Sequence, residues 1–433
     1  MQDMSKILAK AENSSKGSDV YFYAPKGTYI AKNQRGSWIP RNDAKIKRYL
    51  IGLGKRKKAE KGEAMSEVDQ CLLNIEELND VQYVGALAGA MEGMCEDGVL
   101  RVLVTHSPKI IKPVEGDWRV LEQLLNGMFC EKQRTYLFGW LSLAYQSLTM
   151  GARTQGQALA IAGKAGSGKS LFQNLITHIL GGRSAKPYQF MTGASTFNSD
   201  LFGAEHLMIE DETAATDLRS RRNMGQLIKN FTVCADQRCH GKGVDAITLH
   251  PFWRLTLTMN DEPENLMVLP PIDESLADKI IMLKACKKPM PMPTGSIQEK
   301  ITFWDRLIAD LPAFIHYLVN FEIPQELKCD RYGITHYHHD DIMAEISAMA
   351  PETRLLAMIV AVIEDECWEG TSMELSAVLS CNESAYANEA RHLLSWANST
   401  GTYLGRLAEK YPENIIYNKT NQLRYWRIIQ PIK

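Results

Sequence analysis

No stretch of about 18 consecutive apolar residues occurs in the chain, so no segment is a candidate membrane-spanning helix. The opening residues, MQDMSKILAKAENSSKGSD, lack the apolar core of an export signal, and nothing in them directs secretion. The nine cysteines, an odd number scattered from Cys71 to Cys381, contain no C-x-x-C pair. Cys234 and Cys239 stand five residues apart without two further well-spaced ligands, so a zinc site is not indicated. A surplus of either charge is missing as well: 49 Lys and Arg against 51 Asp and Glu leave a formal net charge of -2. That balance neither announces a nucleic-acid binder nor excludes one, because binding follows local fields. What remains is an ordinary globular composition, 45% hydrophobic and 23% charged, over 433 residues, enough for two or three domains.

Residues 1–115 read as an α+β region: DVYFYAP and GTYIAKN are short strands around Pro25-Lys26-Gly27. Within it, residues 45–61 carry eight Lys or Arg in seventeen positions, either a solvated helix face or a phosphate-contacting surface. A helical lead-in follows over 116–156, with apolar residues from Trp118 to Leu148 at helical spacing. Strands alternating with helices over 157–290 predict an α/β core built on a mostly parallel sheet, with a hairpin at 231–250. The stretch KACKKPMPMPTG (284–295) marks a boundary, after which 291–350 is a helical connector. Residues 351–433, several helices followed by a two-stranded hairpin, predict a winged-helix DNA-binding domain.

The core carries four chemical elements. The buried-strand run Ala158-Leu-Ala-Ile-Ala162 leads into Gly163-Lys-Ala-Gly-Ser-Gly-Lys169-Ser170, and LFQNLITHIL then runs at helical spacing to Gly181-Gly182. This is a P-loop in its required strand–loop–helix setting. Glycines let backbone N–H groups curl around a phosphate, Lys169 neutralises its oxygens, and the Ser170 hydroxyl suits Mg²⁺. Gly163, Gly166, Ser167, Gly168, Lys169, Ser170 and Leu171 are therefore the expected nucleotide-binding residues. About forty residues on, the strand ending Leu-Met-Ile209 runs into Glu210-Asp-Glu212. Asp211 is expected to hold Mg²⁺ and Glu212 to orient the attacking water, with Glu210 able to displace either by one position. The strand Thr256-Leu-Thr-Met259 ends at Asn260, whose amide can sense a γ-phosphate. Lastly, Cys239-His240-Gly241-Lys242-Gly243 places a lysine between glycines at a turn, leaving Lys242 and His240 protruding.

In this order the residues resemble the superfamily 3 helicases, and more closely the helicase half of phage and plasmid primase-helicases. The similarity is detailed from Gln157 to Lys284, through GKAGSGKS, FNSDLFGAEHLMIEDE, IKNFT, HGKG and TLTMNDEPENLMVLPPIDESLADKI. It implies an AAA+-like ATPase using ATP and Mg²⁺ that assembles as a homo-hexameric ring and translocates on DNA; with an interior P-loop, the scattered cysteines read as reduced thiols in a bacterial or host-cell cytosol. Lys242 and His240 would be the pore hairpin, and Lys229 would begin an additional motif. Where the family places an arginine that reaches the neighbouring subunit's nucleotide, this sequence has Lys279, and lysine cannot fork onto phosphate oxygens. Arg219, Arg221, Arg222 and Arg254 are alternatives. No acidic metal-binding pattern of a primase precedes the core, so a separate primase, or one elsewhere on a longer chain, is the expected partner. The competing expectation is a DNA-binding replication initiator or switch that uses ATP only to control assembly.

Overall fold

The computed structural model describes residues 20–210, 218–363, 365–419 and 424–431, which divide into two compact units. The first unit opens with β1 (Val20–Tyr23), β2 (Thr28–Lys32) and β3 (Trp38–Arg41), followed by α1 (Asp43–Gly52), α2 (Glu67–Leu78) and β4 (Asp80–Val81). The sheet order is β3-β2-β1-β4, antiparallel except where β4 joins β1. Alternation along the strands decides its two faces. Val20, Tyr29 and Ala31 pack on Ile46 and Leu50 of α1 and on Val68, Leu72 and Ile75 of α2. Ile30 points the other way, with Tyr21, Tyr23 and Trp38. A second small sheet, in the order β5-β7-β6, is made by β5 (Tyr83–Gly85), β6 (Gly93–Asp97) and β7 (Leu100–Val104).

Two helices, α3 (Arg119–Met128) and α4 (Glu131–Thr149), then lead into the core. Its chain order is β8 (Ala158–Gly163), α5 (Lys169–Ile179), β9 (Ser184–Ala185), α6 (Tyr188–Met191), β10 (His206–Glu210), α7 (Leu218–Val233), the β11 (Gln237–Cys239)–β12 (Ile247–Leu249) hairpin and β13 (Arg254–Met259). After α8 (Pro263–Leu266) and α9 (Glu274–Ala277) come β14 (Ile280–Ala285) and α10 (Ile297–Val319). Five strands, β14-β8-β13-β10-β9, form one fully parallel sheet. Every residue of β8 and β13 is buried, as expected of central strands covered on both faces. Leu159 and Ile161 of β8 and Ile281 and Leu283 of β14 share one core with Phe172, Leu175 and Ile176 of α5 and with α3, α4 and α10. Burial of each of those α5 side chains contributes roughly 1.5–3 kcal/mol. Residues 291–350, expected as a connector, thus supply α10 to this core.

Two polar devices finish the sheet. At the β14 edge, the Gln133 amide accepts from Lys284 N (2.7 Å) and donates to Lys284 O (3.2 Å), taking the place of a neighbouring strand. Beside β10, Arg183 forks onto the fully buried Glu205, which also accepts from Gly89 N (2.8 Å).

The second unit comprises Asp261–Met267 and everything from His338 on. It contains α8, α11 (Asp340–Ala348), α12 (Pro351–Val362), β15 (Cys367–Gly370), α13 (Ser372–Ser380), α14 (Ala387–Leu393), α15 (Ser399–Lys410), β16 (Ile415–Lys419) and β17 (Arg424–Ile429). The strands form an antiparallel sheet, β15-β17-β16, over a core that includes Leu355, Ile359, Leu375, Leu404 and Trp426.

Candidate functional site

The loop between β8 and α5 is shaped by its glycines. Gly166 and Gly168 adopt φ of +77° and +90°, a region that L side chains rarely enter. A Cβ on Gly163 would stand 2.4 Å from the Ala285 carbonyl of β14, so only glycine lets the two strands meet there. Gly168 caps the first turn of α5, whose free N–H groups and positive dipole end face the loop. The Ser167 hydroxyl is buried beside it without a hydrogen-bond partner. The chain stops being helical at Leu180, before Gly181 and Gly182 in left-handed conformations, where the sequence predicts the end.

Lys169 is only 5% exposed. Its Nζ donates to Gly163 O (2.7 Å), Lys164 O (3.2 Å) and Asn260 Oδ1 (3.1 Å). The strand order explains the last contact: β13 lies directly beside β8, so Asn260 leaves the sheet next to the loop. β10 adjoins β13 on its other side, with Glu210 opposite Thr258. Three sequence-distant segments therefore emerge side by side at the carboxyl edge. Asp211 and Glu212, expected for metal and water, lie outside the described residues; Glu210 at the strand's end is within 3.9 Å of Lys186 Nζ. The donor set fits a nucleotide phosphate with its metal: a glycine cradle, an orphaned buried hydroxyl, a helix N-terminus and a buried ammonium. Ser170, partly exposed in the first turn of α5, is placed to share in it.

A buried polar network holds α5 over these strands. Gln173 Nε2 donates to Ile209 O (3.2 Å) and Thr256 Oγ1 (2.7 Å), and its Oε1 accepts from Thr258 Oγ1 (3.1 Å). His206 sits between the hydroxyls of Thr177 and Thr256, each at 2.7 Å. Complete burial penalises its charged form and pulls its pKa down to about 3. The ring is therefore neutral at physiological pH.

The β11–β12 hairpin is shorter than expected, because α7 runs on through Val233 with Met224, Ile228 and Phe231 buried at helical spacing. Its tip is stitched to residues 196–198: Asn198 Oδ1 accepts from His240 N (2.8 Å), and Asn198 N donates to His240 O (3.1 Å). The Phe197 ring packs on His240 at 5.0 Å and stays 44% exposed, and Lys242, two residues on from His240, is exposed as well.

The candidate trans-acting residues separate by position. Arg254 is buried at the amino-terminal end of β13, and Lys279 folds back onto Ser275 O and Asp278, both at 2.6 Å. Arg221 is half-buried, donating to Leu269 O (3.0 Å), whereas Arg222 is exposed on the same helix. Arg219 lies in α7, with its side chain outside the described residues. The basic segment is partly neutralised by its own acids: Arg56 pairs with Glu60, Glu63 and Glu67, and Lys47 with Asp43 and Asp69.

Sequence reading missed three neighbours of the loop. A Cβ at Gly166 would be 3.4 Å from Lys287 Nζ, and one at Gly168 would meet Met128 Sδ (3.3 Å) and Met290 Cε (3.5 Å). Lys287 and Met290 come from the boundary stretch after β14. Their signal, basic and apolar residues just past a core strand, is indistinguishable in sequence from a linker. Phe197 was likewise unmarked.

A model for a family of unknown function (DUF5906) matches residues 161–274, which span the loop, β10, the hairpin and β13. No curated protein matches the chain. Among solved structures, the apo C-terminal region of NrS-1 is similar along nearly the whole length. One form has 13% identity and a TM-score of 0.56, covering 98% of this chain and 97% of that one. Another has 14% identity and a TM-score of 0.54, covering 98% of each chain. A structure of Cch, an active helicase of SCCmec type IV, is 10% identical with a TM-score of 0.32, covering 89% of this chain and 71% of that one. The chain has the fold of the NrS-1 C-terminal region.

Proposed function

We propose that this chain is an ATP-dependent DNA helicase of the superfamily 3, AAA+-like kind, working as a ring, most simply a hexamer, in phage, plasmid or satellite DNA replication. The observation that carries the reading is the convergence of Lys169 and Asn260, 3.1 Å apart, at the edge where β10 also ends. Hydrolysis of a bound triphosphate needs charge neutralisation, a positioned water and a γ-phosphate contact, and little covalent chemistry from the protein. Backbone N–H groups from Gly166 to Lys169 and the Lys169 ammonium would bind and orient the β- and γ-phosphates. Ser170 and Asp211 would hold Mg²⁺, which when bound neutralises charge on those oxygens. Glu212 would take the proton from the water, and Asn260 would hydrogen-bond the γ-phosphate. Arg222, exposed on α7, is the strongest remaining candidate to reach a neighbour's nucleotide.

DNA would meet the β11–β12 tip, where Lys242 offers a phosphate contact and Phe197 a ring face for base stacking. In the second unit, the order helix–strand–helix–helix–helix–strand–strand around an antiparallel three-stranded sheet supports a winged helix for duplex binding.

The test is separation of a forked duplex by purified protein with ATP and Mg²⁺. Unwinding is expected from the native chain, none from Lys169→Ala, and DNA-stimulated hydrolysis should be lost in Lys242→Ala. Absence of unwinding together with full DNA stimulation in Lys242→Ala would sink the motor reading. Slow turnover with duplex binding that survives Lys169→Ala would favour a replication initiator instead.

A further inference from the structure

At the amino-terminal edge of the parallel sheet, six residues of β8 away from the phosphate loop, or about 20 Å, lies a second polar site. A cavity of about 210 Å³ is lined by Trp140, Leu143, Gln157, Arg254, Arg331 and Tyr332, among others. Arg254 is 2% exposed. Its Nη1 donates to Thr154 O (2.8 Å) and Trp253 O (2.9 Å), and the guanidinium lies 4.6 Å from the centre of the Phe252 ring. These partners are neutral, and among the described residues no carboxylate pairs with it. Arg331, by contrast, is compensated by Asp278 at 2.9 Å. Burial draws the Arg254 pKa down to about 9, which leaves it a cation at neutral pH.

One feature shows that the surroundings are shaped around this group. A Cβ at Gly156 would come within 2.7 Å of Arg254 Nε, so any side chain there would have to push the guanidinium aside. Gln157, which lines the same cavity, is 1% exposed and donates through Nε2 to Asp278 O (3.1 Å), while its Oε1 is buried with no partner.

We propose that this cavity binds a small protonated oxyanion of the phosphate class, held between Arg254 and Gln157. An uncompensated buried guanidinium calls for an anion, because unpaired buried charge is costly. The orphaned Gln157 oxygen calls for a donor on that same ligand. Hydrogen phosphate and the singly protonated form of a phosphate monoester offer both; sulfate offers only the first. The volume is below the roughly 300 Å³ at which sites for drug-sized ligands begin. It therefore suits a free anion or the phosphate end of a small ester, not a whole nucleotide. The site is separate from the loop at Gly163–Ser170 and does not rest on the helicase reading.

The experiment uses the full chain carrying Lys169→Ala, so that the phosphate loop is disabled. Titration with inorganic phosphate should show saturable binding at one site, with a matching rise in melting temperature. Sulfate should bind at least tenfold more weakly. In the same background, Arg254→Gln should weaken phosphate binding at least tenfold through loss of a charge-assisted contact. Gln157→Glu puts a carboxylate on the cavity that Arg254 lines and should abolish phosphate binding without lowering the melting temperature. It decides the matter even if Arg254→Gln fails to fold. Glycerol phosphate binding as tightly as phosphate would identify a monoester as the ligand, and weaker binding would identify the free anion. No saturable phosphate binding, sulfate binding as tight as phosphate, or unchanged affinity in folded Gln157→Glu overturns the proposal.

Discussion

At the scale of single residues, the proposed function would divide the work between the loop, for binding, and Asn260, for chemistry. Lys287 reaches the loop at Gly166 from beyond β14, so its contribution should be to nucleotide affinity. Asn260 contacts the loop lysine where the γ-phosphate would lie, so its contribution should grow as charge develops. Steady-state ATP hydrolysis should separate the two. Asn260→Ala should lower kcat about 100-fold with KM little changed, and Lys287→Ala should raise KM several-fold with kcat nearly intact. Equal effects on both parameters in both variants would contradict this division. The Gly163–Ser170 loop was legible because its chemistry is contiguous. Lys287 was not, because its proximity exists only through the β8–β14 pairing.

At the scale of elements, α5 is tied to β10 and β13 by a buried network with one titratable member. His206 has its folded pKa depressed to about 3, well below the ordinary histidine value of 6.5. Between those values the unfolded chain binds a proton that the folded chain refuses, so stability falls as pH falls. Above pH 6.5 the term is fully favourable. Equilibrium denaturation from pH 7 to 4 should show a loss approaching about 1.4 kcal/mol per pH unit from this residue. His206→Gln should remove that slope while lowering stability at pH 7. A slope unchanged by the substitution would show that other groups set it. The strands themselves were readable as apolar runs. The hairpin limits were not, since the helical spacing of Met224, Ile228 and Phe231 carries α7 into the region read as strand.

At the scale of the molecule, two units with separate cores occupy one chain. The chain passes from Asn260 directly into Asp261–Met267, which belongs with the second unit, before returning to the first. A chain ending at residue 350 keeps α11, with which α8 packs, and loses the core around Leu355 and Trp426. It should retain ATP hydrolysis within about twofold. Its duplex-DNA affinity should fall by tenfold or more, with a shallower dependence on salt as phosphate contacts are removed. Undiminished duplex binding by the shortened chain would place the DNA surface elsewhere, with residues 45–61 as the next candidate.

The sequence by itself determined the parallel-sheet α/β class, the glycine-rich loop between β8 and α5 and the glycine that ends its helix. Each depends on local spacing, backbone conformation or unbroken burial, which a linear pattern records. Only the tertiary structure decided that Lys169 meets Asn260, that α10 belongs to the core, and that Arg254 lies buried at the opposite edge of the sheet from the loop. Those outcomes depend on strand order, and strand order is a choice among crossovers that side-chain periodicity along the chain does not encode.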